Sequence, residues 1–315
     1  MDLIAIDASF KERFIFRNGI ADIAVGSEEN NFELNFDLCF FEKMKSVKFI
    51  SVDKSEFGGK INSYRINTGE KKAALSGTTW RGILNEKIIK PIFGNDYYIV
   101  SGKPDAIISQ LLEVCKLNEL FAVREFEAAA LKNFQLKRYC SLLEAINDIL
   151  NSLHYILNLE YDSGKVYISA FPEVNDEMDN YDCDFVIQKS ICPINHLICL
   201  GKGELKERQV LDLYLQSSGT IGRAQYYFGT DERTAVYDYS SVESLEELEK
   251  SGIEHFKELI AQDESAELSL YGGDKGIGQL ITVYEHITGE KLTKCISKKI
   301  LTLSKDNNLI QYEVK

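Results

Sequence analysis

The stretch Leu75–Pro91, LSGTTWRGILNEKIIKP, decides how the rest of the chain is read. It carries a strand-like tail into two threonines and then into amphipathic spacing. A glycine followed by hydroxyl residues at a helix start is also what a phosphate-binding loop looks like. A Walker loop needs a lysine after its second glycine to reach the outer phosphates. Gly82 is instead followed by Ile83 and Leu84. The segment therefore reads as a strand-to-helix corner, with Thr78 or Thr79 capping and Trp80, Ile83, Leu84 and Ile88 burying one face. Arg81 does not fit that apolar face, and is expected to pair with an acidic residue of its own or a neighbouring subunit.

Upstream of the corner the chain reads as β. In NFELNFDLCF, Phe32, Leu34, Phe36, Leu38 and Phe40 fall on one side, and Asn31, Glu33, Asn35 and Asp37 on the other. That alternation gives one core face and one wet face. Further strands are expected at 47–52 and 60–66, and TGEK (68–71) as a turn into AALS. Short strands at close intervals suggest a small barrel or sandwich.

Downstream, three helices are expected. The first, 104–115, opens on Pro104 and aligns Ile107, Ile108, Leu111 and Leu112. The second, 141–157, and the third, 244–260, each begin with a capping box, Ser141 with Glu144 and Ser244 with Glu247. A hairpin is expected at 159–171, turning at Asp162-Ser163-Gly164. An acidic loop (173–184) and a strand near 194–201 follow. QVLDLYL, AQYYFG, TAVYDY, ILTL and LIQYEV complete the strand candidates.

Few constellations carry chemistry. GKGELKER (201–208) lacks the third glycine of a dinucleotide fingerprint, and Glu204 would repel a pyrophosphate; a strand break is the simpler reading. Cys183, Cys192, His196 and Cys199 offer four zinc-ligand types, but without the close knuckle spacing of zinc sites. They read as small side chains in a buried strand, so no metal is assigned. YGGDKGIG (271–278) reads as a glycine turn, since a calcium loop needs several carboxylates and only Asp274 is present. Of the four histidines, His154 and His255 are placed on helices, and no G-x-S-x-G or H-E-x-x-H motif occurs. No catalytic, cofactor or metal residue is assigned.

The bulk numbers agree with a globular, β-leaning chain. Of 315 residues, 44% are apolar and 27% charged, with 16 Tyr and 17 Phe. A net charge of −13 argues against a basic face for duplex DNA, yet suits a surface past which nucleic acid must slide. The seven cysteines show no disulfide framework, and free thiols are expected. MDLIAIDASFKERF lacks the basic and apolar regions of a signal peptide, so synthesis in a cytoplasm without export is expected. No membrane-spanning run is present.

The order of the pieces resembles the tail-hub family of long-tailed phages and prophages, similar in fold to the baseplate hub of contractile phages. The matching residues are Gly77, Arg81, Leu84, Ile88, Ile89 and Pro91; then Asn195, Gly201, Gly203, Glu204 and Arg208; then Gly252, Gly273, Asp274, Gly276 and Gly278. Lysine in NEKIIKP, where arginine is common, and the spacing of GGDKGIGQ depart from the family pattern.

The resemblance implies an α+β, β-rich fold with two small tube-like β-barrel domains and inserted helical and α/β subdomains. Residues 1–100 would form the first barrel, completed by 172–200, with 101–171 as a helical and hairpin insert. Residues 201–315 would form the second, with a helical insert near 241–262. It further implies a homotrimer, a pseudo-sixfold ring between the tail tube and the tip spike or fibre. Distal tail proteins would be neighbours, and DNA would pass through unbound. Such a protein has no active site or cofactor and is expected in the virion tail tip, made in the host bacterial cytoplasm. Two other readings compete: a tail-associated cell-wall glycan hydrolase using a carboxylate pair, and a module binding a small anion at Gly77–Arg81. No recognisable nucleophile supports the former and no lysine the latter.

Overall fold

The computed structural model describes residues 1–91, 93–179, 183–262, 264–270, 275–305 and 308–315. The N-terminal part holds β1 (Leu3–Ile6), β2 (Glu12–Phe16), β3 (Gly19–Gly26), β4 (Asn30–Asp37), α1 (Phe41–Met44), β5 (Phe49–Val52), β6 (Gly58–Asn67), β7 (Lys72–Thr79) and α2 (Trp80–Asn85). Next come β8 (Tyr98–Gly102), α3 (Pro104–Val114), β9 (Phe121–Val123), β10 (Leu131–Leu136), α4 (Leu142–Asn151), β11 (Tyr155–Asp162) and β12 (Lys165–Pro172). Then follow β13 (Asn175–Asp179), β14 (Cys183–Lys189), β15 (His196–Leu200), β16 (Val210–Leu215), β17 (Ile221–Gly222) and β18 (Thr234–Asp238). The chain closes with α5 (Leu245–Gln262), β19 (Glu264–Leu270), β20 (Leu280–Tyr284), β21 (Lys291–Leu303) and β22 (Asn308–Val314).

The fold is β-rich α+β. One large sheet runs β14-β19-β22-β21-β3-β4-β7-β6-β5-β1-β2, with β20 on β21 and β13 on β20. Its described pairings form an open path, so the two barrels expected from the sequence are not closed by them. The chain divides into two compact units, Met1–Phe185 with Leu268–Lys315, and Val186–Glu267. Both borders fall inside strands, β14 and β19.

In the first unit, β4 buries Phe32, Leu34 and Phe36 under the sheet and leaves Asn31 and Asp37 exposed, as its alternation dictates. β1 and β5 are buried on both faces. Leu3, Ala5, Ile50 and Val52 join the core beneath β4, whereas Ile4, Ile6 and Phe49 pack with Trp80 and the helices α3 and α4. A strand sandwiched in this way needs an unbroken apolar run, and LIAI and FISV supply it. In the second unit α5 covers one face of the sheet β17-β16-β15-β18, burying Leu248 and Phe256 against Leu197, Cys199 and Leu213.

Several boundaries differ from expectation for identifiable reasons. Leu38 and Phe40 leave the strand in a 3-10 turn that leads into α1. α4 stops at Asn151 and not at 157, because the chain reverses at His154 (φ 58°) and Tyr155–Leu157 begin β11. Apolar runs of this kind satisfy both periodicities, and the pairing of β11 with β12 decides between them. AQYYFG is a loop, although TAVYDY does form β18. The expected acidic loop contains β13, whose Asn175–Asp179 pair in parallel with β20. The strands of 172–200 therefore join C-terminal partners or the second unit's sheet. Among the described residues, β21 joins the N-terminal strands through β3.

Candidate functional site

The corner is built as its sequence requires. Thr79 caps α2, its hydroxyl accepting from the Gly82 amide at 3.4 Å. Trp80 is fully buried and stacks on Tyr161 at 6.1 Å. Gly77 has no room for a side chain: a Cβ would lie 2.0 Å from the Lys60 carbonyl oxygen. α2 is shorter than its pattern suggests. It ends at Asn85, so Ile88 is half-exposed in an isolated bridge to Ser141, and Ile89 takes the buried place. Pro91 disfavours helical backbone at the residue before it, which keeps the helix from resuming.

Arg81 points inward. Its Nε donates to Glu56 Oε2 at 2.7 Å and its guanidinium also donates to the Leu157 carbonyl at 3.1 Å. Lys299 of β21 pairs with the other oxygen of Glu56, and its ammonium lies 5.2 Å over the Phe57 ring. All three charged side chains are at most 4% exposed. Burial by itself pushes the Glu56 carboxyl up, but the charges and hydrogen bonds of Arg81 and Lys299 outweigh it and hold the group at about 2. Arg81 is thus bound to its own chain's Glu56, which removes the free cation that an anion site at Gly77–Arg81 requires. Three separated segments, the turn before β6, α2 and β21, meet on one carboxylate. The arginine motif was legible in the sequence; Glu56 and Lys299 were not, because only the fold brings them within reach.

The remaining motif residues serve local geometry. Asn195 donates to the Asp231 carbonyl at 2.6 Å and accepts from the Arg233 amide at 3.0 Å, fastening the start of β18. Gly201, Gly203, Glu204 and Arg208 form the turn between β15 and β16, where Gly203 has φ 111°. Arg208 Nε donates to the Gly201 carbonyl at 3.2 Å. Gly252 lets α5 approach β15, since a Cβ there would lie 2.6 Å from Cys199 Sγ. Gly276 lies against the Phe171 ring and Gly278 adopts φ 94°. Gly273 and Asp274 lie outside the described residues.

The four zinc-type side chains do not assemble. His196 and Cys199 are three residues apart on one strand and so face opposite sides of the sheet. His196 Nε2 meets Asp212 at 2.9 Å and Nδ1 meets Glu232 at 2.8 Å. Burial, with Asp212 adding to it, pushes the Cys199 thiol up to about 11, unlike a thiolate ligand. Cys192 contacts the Asp231 carbonyl, and the side chain of Cys183 lies outside the described residues. Among the described residues no group of three metal-ligating side chains is present, and the six described cysteines are free. His255 does lie on α5, stacked on Tyr237 at 4.3 Å; His154 lies beyond α4 in the turn to β11.

The wet face of β3, β4, β7 and β6 carries cross-strand polar pairs. Cross-strand pairing sets Asp22 beside Glu33, Asn31 beside Thr78, and Asp37 beside Lys72. Arg65 bonds Glu33 at 3.2 Å and Lys72 bonds Asp37 at 2.8 Å, while Thr302 donates to Asp22 at 2.7 Å. Glu33 and Asp37 are thus paired with cations, whereas Asp22 meets a hydroxyl. No helix among the described residues is long and apolar enough to cross a membrane.

No family model and no curated protein matches this chain. Solved structures do. The 43 kDa tail protein of prophage MuSo2 from Shewanella oneidensis aligns over 100% of this chain and 98% of its own, with a TM-score of 0.53 at 12% identity. The tail protein from Neisseria meningitidis MC58 aligns over 100% and 96%, with a TM-score of 0.48 at 14% identity. The Shewanella match establishes a likeness of fold at end-to-end coverage.

Proposed function

We propose, for a chain that shares its fold with a prophage tail protein, that it is a structural hub of a phage or prophage tail. In this reading three copies form a ring that joins the tail tube to the tip spike or fibre. The two tube-like domains are the strand sets flanking the β3–β21 junction, and DNA passes along the wet sheet face. The observation that carries the reading is the whole-chain likeness of fold to the Shewanella tail protein. Two features of the chain support it. On the wet face Arg65 and Lys72 are paired with Glu33 and Asp37, so these two cations are not free to hold phosphates. The corner motif, which could have been a ligand loop, is occupied by internal bonds and serves architecture.

The ring is tested by light scattering and negative-stain imaging of the purified chain, alone and with its tail-tube partner. Particles of trimer mass with a central channel are expected. A chain that stays monomeric at high concentration under both conditions overturns the ring.

A further inference from the structure

A cleft of about 660 Å³ opens in the first unit between α2, α4, the start of β11 and the C-terminal strands. Its volume falls in the range of about 300–1,000 Å³ typical of small-ligand sites. Three uncharged amides line it: Asn85 at the end of α2, and Asn147 with Asn151, one turn apart on α4. The capping and ladder bonds of this region use other groups, and none of the hydrogen bonds described for the chain engages these three side-chain amides. The half-buried side chains of Tyr155 and Ile277 add apolar surface to the same cleft.

Two of the charged side chains at the cleft are engaged, Arg81 by Glu56 and Glu144 by Lys137 at 2.9 Å, and Glu173 and Lys315, of opposite sign, also line it. The strand ends at the rim are also closed. Cys295 and Lys315 exchange both backbone bonds, and Ser297 accepts from the Ser27 amide. An extended peptide would therefore find no free edge to add to. The cleft thus sets three amides, each able to donate and accept, beside half-buried apolar side chains. That combination matches the hydroxyl and acetamido groups of a sugar and its C–H face.

We propose that this cleft binds a neutral oligosaccharide. The proposal stands apart from ring formation, because the cleft lies within one chain. Saturation-transfer NMR and calorimetry on the purified chain, with chitotriose and maltotriose as probes, test it. At least one probe is expected to bind, and the double variant Asn147→Ala, Asn151→Ala to bind it at least tenfold more weakly at unchanged melting temperature. Alanine suits both helical positions, so the fold is retained. Absence of transfer from both probes overturns the proposal, as does equal binding by the variant. Tighter binding of a sulfated heparin fragment, or of an acetylated peptide that displaces the sugar, overturns it equally.

Discussion

Two sets of ion pairs in this molecule use the same chemical groups to opposite ends. Glu56, Arg81 and Lys299 are sealed in the interior, whereas Glu33 with Arg65 and Asp37 with Lys72 lie along the wet sheet face with side chains 44–75% exposed. Water screens the exposed pairs, so each contributes at most about 1 kcal/mol. Inside, the desolvation of three charges is offset only while all partners are present, so the cluster acts as a lock on segment placement more than as a source of stability. The difference teaches that the surface pairs tune a face, while the interior group fixes which segments meet.

The comparison is open to direct attack. Arg81→Ala leaves Glu56 facing Lys299 alone and opens a bond to the Leu157 carbonyl; a loss of about 3–5 kcal/mol in urea unfolding is expected. A loss under 1 kcal/mol would place the cluster with the surface pairs. Acid gives a second attack. Glu56 is depressed in the folded chain from 4.5 to about 2, so its contribution is complete above the unfolded value and disappears as pH falls through that interval. About 3 kcal/mol of stability should be lost there, and Glu56→Gln should flatten that part of the pH profile.

Smaller effects bound the comparison. Gly252→Ala drives a methyl into Cys199 Sγ at 2.6 Å, and the second unit should lose about 1–3 kcal/mol by overpacking. A Cys199→Ala change in the same background should recover part of it. Thr79→Ala removes the cap of α2 and should cost about 1 kcal/mol. Exchanging the surface pair, Glu33→Gln with Arg65→Gln, should shift stability by less than about 1 kcal/mol, and less still in high salt.

Much of the architecture was legible in the residues. The alternation of Phe32, Leu34 and Phe36, the capping of α4 by Ser141 and the turn at Ser163-Gly164 all follow local rules, and each stands in the structure. The failures share a cause. Ile88, Tyr155–Leu157 and AQYYFG each satisfy a local pattern, and the state adopted depends on a partner distant in sequence.

What the sequence by itself determined was the corner at Gly77–Pro91: a glycine where only hydrogen fits, a threonine cap, a buried tryptophan, and no lysine for a phosphate. These follow from sterics and hydrogen bonding within a few residues. Only the tertiary structure decided where Arg81 goes, which strands β21 and β13 join, and that His196 and Cys199 look away from each other. Those outcomes rest on contacts between segments up to hundreds of residues apart, such as Glu56 with Lys299. No local pattern encodes them, because an isolated charge or apolar run fits many partners and burial selects one.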